Sequence, residues 1–419
     1  VLPIPRRPVD PGERRRSGRR AAARSRTAES GWPRGAGIPS IGTFTLGGAE
    51  LFDTFGAGTL LRARTADKKR ERKGTRYTAL MSGNTQARDD DGRADPDRPA
   101  ADSAEDGLPP RVVALGGGHG LHASLSALRR VTTDLTGVVT VADDGGSSGR
   151  LRRELGVLPP GDLRMALAAL CGDDEWGHTW SEVIQHRFRS EGELHGHAVG
   201  NLLIVALWEL LGDSVAGLDW VGQLLGAHGR VLPMSSVPLD IAAEVQGVDP
   251  TRPYDLTTVR GQVACASTRG RVRSISLIPE NPPAFPQALK AVREADWVVF
   301  GPGSWFTSVL PHLLVPELAE ALVATPARRI VTLNLSPQRG ETDGFQPETY
   351  LEVLAAHAPD LRVDVVLADQ GVVEDTTRLT EAAKALGGRL VLADVGAPDG
   401  SPRHDHELLA AAFDDIIRG

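Results

Sequence analysis

The chain has 419 residues, 41% of them hydrophobic and 24% charged, with a formal net charge of -7, which allows a large core and one to three domains. The charge is uneven: the first 80 residues hold 18 Lys and Arg against 7 Asp and Glu, and the remainder 29 against 47. An acidic body argues against nonspecific nucleic-acid binding by the folded domain, while a phosphorylated ligand held by backbone amides stays open.

Two cysteines, Cys171 and Cys265, exclude a disulfide framework or a cysteine metal cage and fit a reducing compartment. No apolar run reaches the roughly 18 residues of a membrane span. Residues 1–110 read as a disordered extension. Arg14-Arg15-Arg16, Arg19-Arg20 and Lys68-Lys69-Arg70 stand in Pro/Gly/Ala-rich sequence without periodicity, and 81–110 is rich in Asp, Pro and Ala. The extension reads either as a nucleic-acid or membrane-binding arm or as a solvated tail ahead of a start at Met81.

From Arg111 the pattern becomes α/β. Val112–Leu115 suits a buried parallel strand, 121–131 a helix, and 137–142 a second strand. Helices follow over 162–170, 181–188, 200–211 and 218–225. The third of these is apolar on most sides and so reads as central. Residues 230–280 form a small β-rich insertion, with strands at 230–233, 257–264 and 271–278. Alternation then returns: helices at 288–294, 316–323, 347–356, 377–386 and 406–417, and strands at 297–300, 329–335, 362–368 and 389–393. Together these predict a Rossmann-like, doubly wound, mostly parallel sheet over 111–419, preceded by the disordered extension and interrupted by the insertion. Ligands of such sheets sit beyond the carboxyl ends of the strands.

Three glycine-rich corners fall there. In the first, Gly116-Gly117-Gly118-His119-Gly120, Gly118-x-Gly120-x-x-Ala123 fits a dinucleotide fingerprint, with acids about 20–25 residues on at Asp143 and Asp144. The second is Asp143-Asp144-Gly145-Gly146-Ser147-Ser148-Gly149-Arg150. Its carboxylates suit Mg²⁺ or a sugar hydroxyl, its Gly/Ser run a concave row of N–H donors, and Arg150 a phosphate. The third is Gly301-Pro302-Gly303-Ser304, with Phe306 able to stack on a base or pack in the core. Asp162 suits a helix N-cap, with a ligand role equally open. Asn201 can cap a buried helix or bind a base or sugar. Arg339 is a candidate diphosphate clamp or a surface ion pair. His195 and His197 lack a third ligand at useful spacing, which weighs against a metal site. No lysine lies in any glycine turn, which weakens a P-loop reading.

These residues resemble the YvcK group, often called the gluconeogenesis factor family. The resemblance is carried by the first two corners, Pro160-Gly161-Asp162-Leu163-Arg164, Gln185-His186-Arg187-Phe188, Gly196-His197-x-x-Gly200-Asn201, Gly301-Pro302-Gly303-Ser304, Thr307-Ser308-Val309-Leu310-Pro311, Gly340-Glu341-Thr342-Asp343-Gly344 and Arg403-His404-Asp405. The group is related to CofD, the 2-phospho-L-lactate transferase of deazaflavin coenzyme synthesis. The likeness covers residues 111–419. It implies a cytoplasmic bacterial protein that binds UDP-sugars such as UDP-N-acetylglucosamine and influences cell shape, cell-wall precursor supply and gluconeogenic growth. A protein partner in cell-wall metabolism and a homo-oligomer go with that expectation. By this likeness Gly117, Gly118, His119, Gly120, Asp143, Asp144, Gly145, Gly146, Ser147, Ser148, Arg150, Asn201, Gly301, Gly303, Ser304, Phe306 and Arg339 surround the nucleotide sugar, with Mg²⁺, if any, on Asp143 and Asp144. The chain departs from the family in having His119 where Thr is usual and Phe306 where Tyr is usual, and in its first 110 residues. A CofD-like transferase is the alternative, and an NAD-type oxidoreductase rests on the fingerprint alone.

Overall fold

The computed structural model describes residues 108–419. The expected extension, apart from its last residues, and the start at Met81 lie outside the described residues.

The chain opens with β1 (Arg111–Gly116), α1 (Gly118–Leu128), β2 (Asp134–Val139), α2 (Gly146–Leu155), α3 (Gly161–Ala169), α4 (Glu175–Gln185), α5 (Val199–Leu211), α6 (Ser214–Leu225) and β3 (Arg230–Pro233). A small segment follows with β4 (Asp240–Gln246), β5 (Leu256–Arg260), α7 (Gln262–Ala266) and β6 (Arg271–Ile278). The second half holds α8 (Pro286–Glu294), β7 (Trp297–Phe300), a π turn (Trp305–Val309) running into a 3-10 turn (Leu310–Leu314), α9 (Pro316–Ala324) and β8 (Arg328–Thr332). It closes with α10 (Pro347–His357), β9 (Val365–Asp369), α11 (Thr376–Ala385), β10 (Arg389–Ala393) and α12 (His406–Arg418).

Seven strands make one sheet in the order β10-β9-β8-β7-β1-β2-β3, with every neighbouring pair parallel. The chain winds outward from β1 to β3, then returns to the other side of β1 and winds outward again. The order therefore reverses between β1 and β7, which opens a crevice beyond their carboxyl ends. Those two strands are central because they are apolar on both faces: Val112, Val113, Ala114 and Leu115 are buried, and so are all four residues of β7. Helices cover each face, as an all-parallel sheet requires. β5, β4 and β6 form a separate three-stranded antiparallel sheet.

The fold class is as expected, with several local differences. Arg230–Pro233 belongs to the main sheet as its edge strand beside β2, so the insertion is narrower than 230–280. Its central strand β4 has the sequence Asp-Ile-Ala-Ala-Glu-Val-Gln and escaped the sequence reading because alanine carries little strand preference. Residues 257–264 divide into the end of β5 and the short helix α7. β2 ends at Val139, leaving 140–145 as a loop, and α1 begins at Gly118, so His119 and Gly120 lie in its first turn. α5 is not central. It buries Gly200, Asn201, Ile204, Val205 and Trp208, while Leu210 is 80% exposed, because the helix lies in an outer layer and packs on one side only.

Candidate functional site

Loops after β1, β7, β8 and β10, together with α7, enclose a cleft of about 1060 Å³ at the carboxyl edge of the sheet. Its floor is the first glycine corner. Gly117 is the N-cap of α1 and has no side chain to cap it, the first turn holds no acid, and of the corner's N–H groups Asp162 takes that of Gly118. The positive end of α1 therefore opens on the cleft, which Gly118, His119 and Gly120 line. Glycine is required by close approach here. A Cβ on Gly120 would lie 2.6 Å from the Pro302 carbonyl carbon, so the first and third corners touch backbone to backbone. A Cβ on Gly117 would lie 2.5 Å from both Asp162 Oδ2 and Thr140 Oγ1.

Asp162 supports this corner from below. It sits in the first turn of α3, whose N-cap position is Pro160, so it is not the cap that the sequence suggested. Its Oδ2 accepts the Thr140 hydroxyl at 3.1 Å, and its carboxylate takes the Gly118 N–H. Burial, and then the nearby Asp143, push its pKa up to about 7. Asp143 is likewise raised, first by burial, against the opposing pull of the Gly145 N–H at 2.9 Å and of Ser148. Arg164, 4% exposed, faces the same pair of carboxylates, and burial lowers its pKa to about 10. Its Nε has no hydrogen-bond partner among the described residues.

A raised Asp162 carries a stability signature with a definite sign. The folded state holds the proton up to about pH 7, whereas the unfolded chain releases it near pH 4. Asp162 therefore costs no stability below pH 4, and its ionisation removes stability as pH rises toward 7. Asp162→Asn should match the parent in melting temperature near pH 4 and gain on it steadily up to pH 7. Thermal denaturation at four or five pH values reads this; a difference that is flat with pH would show that Asp162 ionises normally in the folded protein.

The third corner lies against the first, and the N–H groups of Gly303, Phe306 and Thr307 there are taken. Glu341, 5% exposed, sends Oε1 to the N–H groups of Phe306 (2.8 Å) and Thr307 (3.1 Å), and both carboxylate oxygens to the Ser304 hydroxyl at 2.6 and 2.7 Å. Burial raises the pKa of Glu341 while these donors hold it down. Asn334, at the end of β8, grips Gly303 from both sides, accepting its N–H at 2.7 Å and donating to its carbonyl at 2.8 Å. Gly303 and Ser304 line the cleft. Arg339 lines the same cleft, exposed and without a hydrogen bond or ion pair among the described residues. Histidines 119, 122, 404 and 406 also line the cleft. Burial lowers His122 and His404 to about 4, so both rings are neutral at pH 7. Among the described residues no three His, Cys, Asp or Glu side chains converge as a metal site.

A family model described as "2-phospho-L-lactate transferase CofD" matches residues 112–396. The chain belongs to the CofD family.

Its relatives in the family include a putative gluconeogenesis factor of Mycobacterium leprae, 52% identical over 316 residues, which cover 75% of this chain and 88% of that one. A gluconeogenesis factor of Listeria monocytogenes is 36% identical over 315 residues, 73% of this chain and 94% of that one. A solved structure of a UPF0052 family member from Bacillus halodurans superposes with a TM-score of 0.66 at 32% identity, covering 75% of this chain and all of that one. No single helix among the described residues is long and apolar enough to cross a membrane.

The family motifs divide into two groups by position. Gly117, Gly118, His119, Gly120, Gly303, Ser304 and Arg339 line the cleft. Asp143, Asp144, Gly145, Gly146, Ser147, Ser148, Arg150, Asn201, Gly301 and Phe306 do not. The hydroxyls of the second corner hold the helical layer together. Ser147 Oγ receives Asn201 Nδ2 at 3.0 Å and contacts His197 Nδ1 at 3.0 Å, and Ser148 Oγ receives the Gly161 N–H at 2.9 Å. Arg150 donates to the carbonyls of Glu193 (3.2 Å) and His195 (2.6 Å). Asp144 accepts the Val263 N–H at 3.1 Å at the start of α7, so its carboxylate turns toward the insertion while Asp143 turns toward Asp162. Phe306 packs in the core, edge-on to Phe345 and His357, and offers no face to a base. Sequence reasoning left Asp162 evenly between a cap and a ligand role, and gave Glu341 no role beyond its place in a motif. A polar residue on each side of a glycine turn was the available signal, but its partner lies 37 residues away for Glu341 and Ser304.

Proposed function

We propose that the chain binds a nucleotide sugar of the UDP-N-acetylglucosamine type in the cleft and acts as a regulatory protein of cell-wall precursor supply and gluconeogenic growth. The observation that carries the reading is the N-terminus of α1, with no acid in its first turn, at the β1/β7 crevice, and an unpaired Arg339 lining the same cleft. Main-chain amides and a helix dipole hold a diphosphate without requiring a basic surface, which suits an acidic body. A guanidinium adds charge-assisted hydrogen bonds. The gluconeogenesis factor names of the relatives support the regulatory setting.

Calorimetric titration with UDP-N-acetylglucosamine, with and without Mg²⁺, tests the proposal; no heat at millimolar ligand would refute it. Within it, Arg339→Ala should weaken binding by about 1.5–3 kcal/mol, the worth of hydrogen bonds to a charged group. Because Arg339 holds no protein partner among the described residues, the melting temperature should stay put. An unchanged affinity would remove Arg339 from the site.

One observation favours a second reading, a CofD-like phospholactyl transferase. Asp143 and Asp162, coupled to each other beneath the first corner, offer oxygen-only ligands together with the Thr140 and Ser148 hydroxyls. Such a donor set fits a hard cation like Mg²⁺, which would offset charge on a leaving phosphate. Asp162 thereby replaces Asp144 as the companion of Asp143. Incubation with a deazaflavin acceptor and a GTP-linked phospholactate decides this reading by the presence or absence of the coupled product.

A further inference from the structure

Arg339 is exposed and makes no hydrogen bond or ion pair among the described residues, so its backbone alone fixes where the guanidinium can reach. That backbone is tied into a closed turn. The N–H groups of Glu341 (3.1 Å) and Thr342 (2.9 Å) both donate to the Gln338 carbonyl. The Gln338 N–H returns to the Thr342 hydroxyl at 2.8 Å, and the Gly340 N–H donates to Asp343 Oδ2 at 2.9 Å. Residues 338–343 therefore behave as one unit.

Two contacts set where that unit sits. Glu341 reaches out of the turn to the third corner, where its carboxylate accepts the Ser304 hydroxyl and the N–H groups of Phe306 and Thr307. Gly340, between Arg339 and Glu341, lies against the end of α7. A Cβ there would stand 2.9 Å from the Thr268 carbonyl oxygen and 3.0 Å from that of Ala266. Its φ of 84° also suits glycine. Of the two anchors Glu341 is the stronger, because its hydrogen bonds are charge-assisted.

We infer that Glu341 is a positioning residue for Arg339: by pinning the 338–343 turn to the third corner, it holds the guanidinium at the cleft ahead of the ligand. This rests on the nucleotide-sugar reading and deepens it. A group placed in advance adds affinity because its ordering is not charged to the binding step. The role also fixes a sign. Glu341 lines the cleft, and its carboxylate is a negative charge beside a site proposed for a diphosphate. By Coulomb's law alone, removing that charge tightens the binding of an anion. Loss of the anchor does the opposite. The two effects separate at glutamine, whose amide oxygen still accepts the Phe306 and Thr307 N–H groups.

The test is calorimetric titration of the full chain with UDP-N-acetylglucosamine, below the melting temperature of every protein used. The proteins are the parent, Glu341→Ala, Glu341→Gln, Arg339→Ala and the double variant Glu341→Ala/Arg339→Ala. Glu341→Ala should weaken binding about tenfold, the scale of one hydrogen bond to a charged group. Glu341→Gln should stay within about threefold of the parent. The double variant should lie within about threefold of Arg339→Ala, because a displaced turn acts only through the arginine it carries. Should Glu341→Ala fail to fold, Gly340→Ala, whose methyl group pushes the turn off α7, is titrated with and without Arg339→Ala; the same loss and the same non-additivity are expected.

Glu341→Ala or Gly340→Ala binding as tightly as the parent, or tighter, would overturn the positioning role and leave the nucleotide-sugar reading intact. So would a loss that persists in full when Arg339 is already alanine. Glu341→Gln as weak as Glu341→Ala would make the charge, and not the anchor, the cause. Unchanged affinity in Arg339→Ala would remove the arginine and its positioning alike. A parent that binds nothing would remove the reading and the positioning role together.

Discussion

Gly120→Ala is expected to lose about 3 kcal/mol of stability and all measurable ligand binding. The added methyl group would press on the Pro302 carbonyl carbon at 2.6 Å and on neighbouring backbone of the third corner. Backbone cannot swing aside as a side-chain end can, so the two corners must separate, and overpacking of this kind costs about 1–3 kcal/mol or more. The separation also widens the crevice in which the diphosphate is proposed to lie. A comparable methyl added at Gly192, where no atom lies within 4 Å, should fall within about 0.5 kcal/mol of the parent. Thermal melts of the two variants, followed by a nucleotide titration, read the difference. Equal behaviour of Gly120→Ala and Gly192→Ala would mean that the two corners are not in contact.

The second large effect is at Glu341. Truncation to alanine strands the N–H groups of Phe306 and Thr307 inside the protein and removes the acceptor of the Ser304 hydroxyl. An abandoned buried donor costs about 1–3 kcal/mol, and the combined loss should reach about 3 kcal/mol or more. Glu341→Gln keeps one acceptor oxygen and the shape, so it should recover much of that loss. Chemical denaturation of both variants distinguishes this from a simple charge effect: if Gln and Ala are equally damaging, the negative charge matters and the hydrogen bonds do not. Glu341 also explains why the third corner, despite its sequence, is not an open phosphate site. The protein supplies its own anion there.

The fold was legible wherever a short strand is apolar throughout. Val112–Leu115 and Trp297–Phe300 are buried on both faces, and such strands announce themselves by composition alone. β4 was silent because its alanines fit a helix as well as a strand. The apolar run of α5 misled for the opposite reason. Periodicity reports that a surface is apolar, but it cannot report whether anything covers it, and Leu210 is left facing solvent. The site divides in the same way. A glycine turn between strand and helix reveals bare amides, so the first corner could be read directly. What else has claimed those amides depends on contacts distant in sequence. Ser147 meets Asn201 across 54 residues, and Ser304 meets Glu341 across 37. Neither pairing leaves a local mark. Asp162 was visible, but only as one polar residue beside two prolines. Its role emerges from lying under Gly117, with Asp143 close by.

The sheet order places the first and third corners side by side and leaves one of them open, so the account stands on where a diphosphate lies. A crystal structure of the full chain with UDP-N-acetylglucosamine measures this most directly. Phosphate oxygens within hydrogen-bond reach of the His119 and Gly120 N–H groups, with the Arg339 guanidinium closing over them, are the predicted result. A diphosphate seated on the Gly145–Ser148 turn, or anywhere away from the start of α1, would contradict it.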